Sequence, residues 1–218
     1  KTGDRVVRGQ RGADGGESGV PIHATISGKV KPIDKRPHPT LVSAESIVIA
    51  RAEDGEALEY PEDSGWRSLA RGESLERIRE AGIVGLGGAA FPTYRKLTLP
   101  AGVRVDTLIV NGAECEPYLT SDYRLMLSLP TDIVEGALAM ARILDVKRVL
   151  IGVEVDKAGA LDSLRAAAAE APRDGTTVEV IPCEVRYPQG AERQLVTALT
   201  GRVIPPRALP SAVGVLVQ

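Results

Sequence analysis

Three segments of the 218-residue chain hold the residue types and spacings that could do chemistry. The first is GIVGLGGAAFPTYRKL, residues 82–97. Four Gly fall within seven residues, then come Phe91-Pro92 and Arg95-Lys96. A backbone without Cβ atoms lets a ligand come close, and its N–H groups can face a phosphate. Gly85, Gly87 and Ala90 satisfy the G-x-G-x-x-A dinucleotide fingerprint formally. That fingerprint has to follow a strand and open a helix, whereas here a helical pattern precedes it and Phe-Pro follows it. The spacing suits a phosphate or flat ligand, and equally a glycine turn demanded by packing. No GxxxxGK[ST] occurs, which excludes a P-loop.

The second segment is LIVNGAECEPYLTSDYRLM, residues 108–126. A buried-type strand ends at Asn111-Gly112 and then delivers Glu114 and Glu116, with Cys115 between them. Open α/β sheets bind ligands at the carboxyl ends of their strands. Two carboxylates placed there need solvent, hydrogen-bond donors or a ligand. Cys115, flanked by carboxylates, is not set up as a nucleophile. The third segment is RYPQGAERQL, residues 186–195. A strand passes through Tyr187, Pro188 and Gly190 into a helix with Glu192 in its first turn, where a helix dipole favours an acid. No metal-ligand set is legible, since His23 and His38 both lie in a region of β pattern.

These segments need elements to hold them. Residues 1–50 read as short β. VPIHATISGKVKPI looks like a hairpin around Ser27-Gly28, and LVSAESIVIA (41–50) like one strand. A small sandwich or barrel fits. Residues 51–72 are polar and turn-rich and read as a linker. From 73 onward helices and strands alternate. ESLERIREAG is a helix with Leu75, Ile78 and Ala81 on one face and Gly82 as its stop. VRVDTLIV (103–110) is a strand. Thr131 can cap a helix running to about Leu144, with Ile133, Val134, Ala137, Leu138 and Ala141 on its apolar stripe. KRVLIGVEV is a strand, 157–170 an Ala-rich helix, and TVEVIPCEV a strand. GAERQLVTALTG is a helix closed by Gly201, and VGVLV (213–217) is a last strand. The alternation predicts an α/β layer with a mostly parallel sheet.

Composition bounds the function. Apolar residues make up 43% of the chain, which supports a packed core and argues against disorder. The net charge of −2 gives no reason to expect nucleic acid as a partner. No apolar run approaches the roughly 20 residues of a membrane span, and no signal-peptide pattern is read at the opening residues. The two Cys, at 115 and 183, cannot alone hold an iron–sulfur cluster, which takes four ligands. They form no disulfide framework, which suits a reducing compartment.

Taken together, GLGGAAFPTYRKL, NGAECEPYLTSDYRLM and YPQGAERQL resemble RnfC, a component of the Rnf ion-translocating electron-transport complex. More distantly, they resemble the flavin-carrying, NADH-oxidising subunit of respiratory complex I. The resemblance covers nearly the whole chain. The opening GDRVVRGQ and HATISGKV resemble that family's lipoyl-like, barrel-sandwich hybrid β module. GADGGESGVPIHA, the stretch matching a carrier's hairpin tip, has no Lys to modify, so the module is expected to dock or to support rather than to carry.

The resemblance implies a lipoyl-like module over 1–50, a linker over 51–72 and a Rossmann-like FMN/NADH-binding domain over 73–218. It implies that Gly85, Gly87 and Gly88 lie against FMN and that Lys96 sits near the FMN phosphate. It puts Asn111, Glu114, Cys115, Tyr187 and Gly190 among the flavin contacts. It puts Phe91, Glu116 and Glu192 on the NADH side. Hydride transfer needs no protein acid, because the protein positions two rings. The 4Fe–4S clusters are expected beyond Gln218. The expected activity is reversible NADH oxidation by FMN. Expected partners are the other subunits of a membrane complex and a ferredoxin-like electron carrier, with this component peripheral on the cytoplasmic side of the bacterial inner membrane. The alternative is a scaffold that keeps the fold without the cofactor. An ordinary NAD dehydrogenase would want a catalytic His, Tyr-Lys pair or metal that is not legible. The chain departs from the complex I pattern at Leu86, Ala113 and Ala191, where that pattern has an Arg and two acids, and Arg207 only weakly matches a downstream NADH-binding Lys.

Overall fold

The computed structural model describes the chain apart from residues 39–40, 54, 61–63, 87–88 and 173–174 and the side chain of Ser64. It divides into two units. One joins Lys1–Gly65 to Glu76–Tyr94, and the other joins Trp66–Leu75 to Arg95–Gln218.

The first unit is built from seven short strands: β1 (Arg5–Val6), β2 (Arg11–Ala13), β3 (Ile22–His23), β4 (Gly28–Val30), β5 (Asp34–Pro37), β6 (Ser43–Ser46) and β7 (Ile49–Arg51). They pair antiparallel as β1-β4-β7, β2-β3 and β5-β6. The expected hairpin at Ser27-Gly28 is not formed. β3 and β4 belong to different sheets, and Ser27 is instead buried at the entrance to the central strand. Its hydroxyl accepts the Arg8 N–H at 2.7 Å and donates to the Glu56 carbonyl. Gly28 follows because a Cβ there would run into the Ala50 carbonyl of β7. The single strand expected over 41–50 is two strands, since the chain leaves β5 at Ser46 and joins β4 at Ile49. Residues 52–60 lie along this unit: the Leu58 N–H bonds to the Arg8 carbonyl and the Tyr60 hydroxyl to the Gly9 carbonyl at 2.7 Å.

The helix α1 (Arg71–Glu80) spans the division between the units and stops before Gly82, whose φ of 72° is the left-handed value that glycine accommodates. A short helix, α2 (Thr93–Leu97), follows the glycine-rich segment.

The second unit is an α/β layer. Its sheet has the order β10-β9-β8-β11, with β8 (Thr107–Gly112), β9 (Arg148–Glu154), β10 (Thr177–Cys183) and β11 (Val215–Val217) all parallel. Such a sheet is covered on both faces, so its strands read as nearly continuous apolar runs; β9 is buried at six consecutive positions from Val149 to Glu154. The helices α3 (Ser121–Ser128), α4 (Pro130–Leu144), α5 (Ala158–Glu170) and α6 (Glu192–Thr200) accompany it. Leu150, Ile109, Leu195, Val196 and Val215 form the core between the sheet and α6. The α4 stripe buries Val134, Ala137, Leu138 and Ala141 as expected. Thr131 is not its cap. Pro130, with φ already set for a helix, takes the first position and moves the cap to Leu129, whose N–H also closes α3 onto the Leu125 carbonyl. Gly201, at φ 71°, ends α6 as the spacing predicts. The alternation pattern omits α3 and puts the start of β8 four residues early.

Candidate functional site at the strand ends

The carboxyl ends of β8, β9 and β10 bring together most of the residues singled out in the second and third segments. Asn111, next to last in β8, donates from Nδ2 to the Gly190 carbonyl at 2.9 Å and accepts the Ala113 N–H on Oδ1 at 3.2 Å. Cys115 is half-buried, and its Sγ accepts the Gly190 N–H at 2.8 Å. Both polar ends of Gly190 are therefore held by the end of β8 and the loop after it. A Cβ on Gly190 would stand 2.8 Å from the Ala113 carbonyl oxygen and 3.2 Å from the Cys115 sulfur, so no larger residue fits that approach.

Glu114 is buried, unlike Glu116, which is exposed. Its carboxylate accepts the N–H groups of Asp122 at 3.0 Å and Tyr123 at 3.3 Å and the Ser121 hydroxyl at 3.3 Å. α3 has no side-chain cap from its own N-cap residue, Thr120, so Glu114 satisfies those first-turn donors from outside the helix. Asp122 is pushed above the usual carboxylate range, first by its burial and then by the charges of Glu114 and Glu116.

The third segment reaches α6 through Tyr187 and Gly190. Tyr187 is 76% exposed, and Glu192 opens α6, whose N-cap residue Ala191 offers no side-chain acceptor. Lys96, in the last turn of α2, is half-buried. Burial lowers its pKa, and the charge of Glu192 works against that shift. Lys96 and Glu192, far apart in sequence, thus belong to one electrostatic neighbourhood.

The glycine-rich segment lies in the first unit and forms a closed loop. The Thr93 N–H bonds to the Ile83 carbonyl at 3.1 Å, and the Gly85 N–H to the Phe91 carbonyl at 2.9 Å. Above that stem Ala90 takes φ 48°, while Leu86 and Phe91 are exposed, Phe91 at 43%. Around Gly85 a Cβ would meet only the Phe91 carbonyl oxygen, at 3.7 Å. Its φ is not left-handed either, so neither crowding by the protein nor backbone conformation accounts for a glycine there. Gly87 and Gly88 lie outside the described residues.

One group at these strand ends has no counterpart among the residues that the sequence singles out. Glu154 closes β9 and is 2% exposed. Burial raises its pKa, Asp156 adds to the rise, and Lys157 and the Glu114 backbone N–H oppose it. A signal for it exists: the apolar run KRVLIGVEV carries a single carboxylate near its end, as LIVNG carries a single amide. Among the described residues no three His, Cys, Asp or Glu side chains are arranged to hold a metal ion.

A parallel sheet with polar groups gathered at its carboxyl ends and a small β module ahead of it defines a ligand-binding α/β protein of the Rossmann-like class. Residues 78–218 match the family described as the Nuo51 FMN-binding domain, and residues 1–55 match the RnfC barrel sandwich hybrid domain. The chain belongs to the Nuo51 FMN-binding domain family, and its resemblance to RnfC holds. It is 42% identical over 218 residues to the RnfC-type component of the proton-translocating ferredoxin:NAD(+) oxidoreductase complex of Clostridium ljungdahlii, covering 99% of this chain and 47% of the relative. It is 41% identical over 222 residues to the corresponding component of the Na(+)-translocating ferredoxin:NAD(+) oxidoreductase complex of Acetobacterium woodii, covering 100% of this chain and 49% of the relative. The chain spans about half the length of the curated relatives it matches. Among solved structures it resembles the NAD+-reducing [NiFe]-hydrogenase in its H2-reduced and air-oxidized states. The TM-scores are 0.59 and 0.60 at 26% and 27% identity, over 68% of this chain and 28% of each hydrogenase chain.

The residues present fit a flat cofactor bearing a phosphate. In the second unit Lys96 supplies a cation, and the first N–H groups of α6 have no side-chain acceptor. In the first, Gly85 leaves its own Cα face open.

Proposed function

We propose that this chain is the flavin- and nicotinamide-binding part of the RnfC component of an Rnf-type ferredoxin:NAD+ oxidoreductase. The observation that carries the reading is the convergence, in an FMN-binding-family domain, of Lys96, Glu114, Glu116 and the Gly190 turn at the carboxyl ends of parallel strands. FMN, when bound, supplies the exchange between a two-electron hydride donor and one-electron carriers. The chain's own work is then to bind and to orient. Lys96 neutralises the cofactor phosphate. Gly85, Gly87 and Gly88 let the backbone approach it. Asn111 and Cys115 hold the Gly190 turn, Glu114 holds α3, and Tyr187 borders the cofactor. Phe91 receives the nicotinamide nucleotide on its ring, and Glu116 and Glu192 accept from its ribose or carboxamide groups. Electrons then pass to or from iron–sulfur clusters outside residues 1–218. The partners in this reading are the complex's other subunits and a ferredoxin-like carrier. No helix among the described residues is long and apolar enough to cross a membrane, and in this reading the protein is peripheral, on the cytoplasmic side.

A second reading has an observation of its own. Asn111, Cys115 and Glu114 all engage protein groups, which is also what a scaffold without cofactor would need. Colour separates the two. The purified chain is titrated with FMN and then mixed anaerobically with NADH. Saturable binding followed by bleaching of the flavin absorbance is expected. A chain that binds no FMN is the scaffold.

A further inference from the structure

We propose that Glu154 is a positioning residue that fixes the 113–116 segment, and with it the face of the sheet offered to the cofactor. The proposal rests on the FMN reading above for its consequence, but not for its geometry. Glu154 stands opposite Cys183 in the β10 register and one residue beyond Val153, the partner of Gly112 in β8. Its main chain is tied on both sides, with the Val155 N–H on the Cys183 carbonyl at 2.9 Å and the Lys157 N–H on its own carbonyl at 3.0 Å. A carboxylate buried to this degree is costly unless a donor meets it. The donor is the backbone N–H of Glu114.

Glu114 is thereby held at two places. Its amide is fixed by Glu154, and its carboxylate by the first N–H groups of α3. The residues on either side are held too: Ala113 by Asn111, and Cys115 by Gly190. Three consecutive residues are thus pinned by different elements, and Glu116 is the first one whose side chain stands in solvent. Of the pins, Glu154 alone comes from β9, the strand between the other two ends. A buried acceptor at the close of a central strand sets the height of the neighbouring turn above the sheet. Lys157 does not replace it, since its ammonium pairs with Asp156 at 3.1 Å.

The test compares Glu154→Ala and Glu154→Gln with the parent chain. Gln keeps the volume and one acceptor oxygen, whereas Ala keeps neither. Amide exchange is followed by NMR without cofactor, and FMN affinity is then measured by absorbance titration. The expected result is roughly tenfold faster exchange at 113–116 in Glu154→Ala, with protection of β9 and α5 retained. FMN affinity should fall by about tenfold in the same variant, and Glu154→Gln should restore both to within about threefold. Unchanged exchange at 113–116 in Glu154→Ala overturns the proposal, as does a Gln variant no better than Ala. A parent chain that binds no FMN overturns the functional reading instead, and the exchange data still decide whether Glu154 holds the turn.

Discussion

The Gly190 N–H points at the sulfur of Cys115, 2.8 Å away, while the same residue's carbonyl takes the Asn111 amide at 2.9 Å. One peptide segment after β10 is thus clipped to the end of β8 at both of its polar groups. The clip sets where α6 begins two residues later, and so where Glu192 and the first helical N–H groups lie.

The clip predicts an asymmetric pair of variants. Cys115→Ala removes one acceptor and leaves the Gly190 N–H without it, a loss of roughly 0.5–1.5 kcal/mol. Gly190→Ala instead forces a Cβ against the Ala113 carbonyl oxygen at 2.8 Å, an overpacking cost of about 1–3 kcal/mol. Adding Cys115→Ala to Gly190→Ala should recover little, because the backbone contact remains. Chemical denaturation of the four chains checks this. Full recovery in the double variant would place the clash at the sulfur rather than at the carbonyl.

Lys96 separates phosphate binding from ring binding. A charge-assisted phosphate contact contributes roughly 1.5–3 kcal/mol, so Lys96→Ala should weaken FMN by about tenfold or more. Riboflavin, which has no phosphate, should lose much less. Burial lowers the Lys96 pKa, so its charge is lost at a lower pH than that of an ordinary Lys. FMN affinity of the parent chain should therefore fall at high pH before an exposed Lys would titrate, and riboflavin affinity should not follow. Equal losses for both ligands would mean that Lys96 acts through the fold.

Glu154 gives the pH dependence a definite sign. Its folded pKa lies above its unfolded value, first because it is buried and then because Asp156 and Glu114 carry like charge, against the opposing Lys157. Ionising it therefore costs the folded state. Its contribution is full below the unfolded pKa, about 4.3 for Glu, and is lost as pH rises through the raised value. Asp122, also raised, adds in the same direction. Glu154→Gln has no proton to lose at this position. The melting temperature of the parent chain should drop more than that of Glu154→Gln as pH is raised from about 4 to 8. Parallel pH profiles for the two chains would contradict the raised pKa.

Much of the α/β layer was legible because buried parallel strands and amphipathic helices write their own period. TVEVIPC, RVLIGVE and the α4 stripe needed no partner to be recognised. The small β module was less legible: Ser27-Gly28 carries the composition of a turn, yet it serves as the entry to a central strand where only a glycine clears the Ala50 carbonyl. α3 escaped recognition for a related reason. Its first-turn donors are satisfied by Glu114, which lies well before the helix in sequence, so no local capping pattern marks its start. At the site, residue types at strand ends were visible, but which of them hold the protein and which face outward was not. Glu114 and Glu116 are next-but-one neighbours in sequence, yet one is buried and the other exposed.

That difference in burial gives the last prediction. Glu114→Gln keeps the shape but removes the charge from the N-terminus of α3, which at such a position contributes about 0.3–1 kcal/mol, more where it is partly buried. The chain should lose stability, and flavin occupancy should fall with it, because α3 and the 113–116 turn share this carboxylate. Glu116 is exposed, and removing its charge relieves Asp122 of one like neighbour. Glu116→Gln should therefore leave stability within about 0.5 kcal/mol and flavin content near that of the parent, while the rate or affinity for NADH changes. Two opposing effects set the direction of that change. A carboxylate accepts from ribose and carboxamide groups, but it also repels the dinucleotide phosphates. The measurement is flavin absorbance per protein, followed by stopped-flow bleaching over a range of NADH concentrations. A flavin-free Glu116→Gln, or one that bleaches like the parent at every concentration, removes Glu116 from the nicotinamide side.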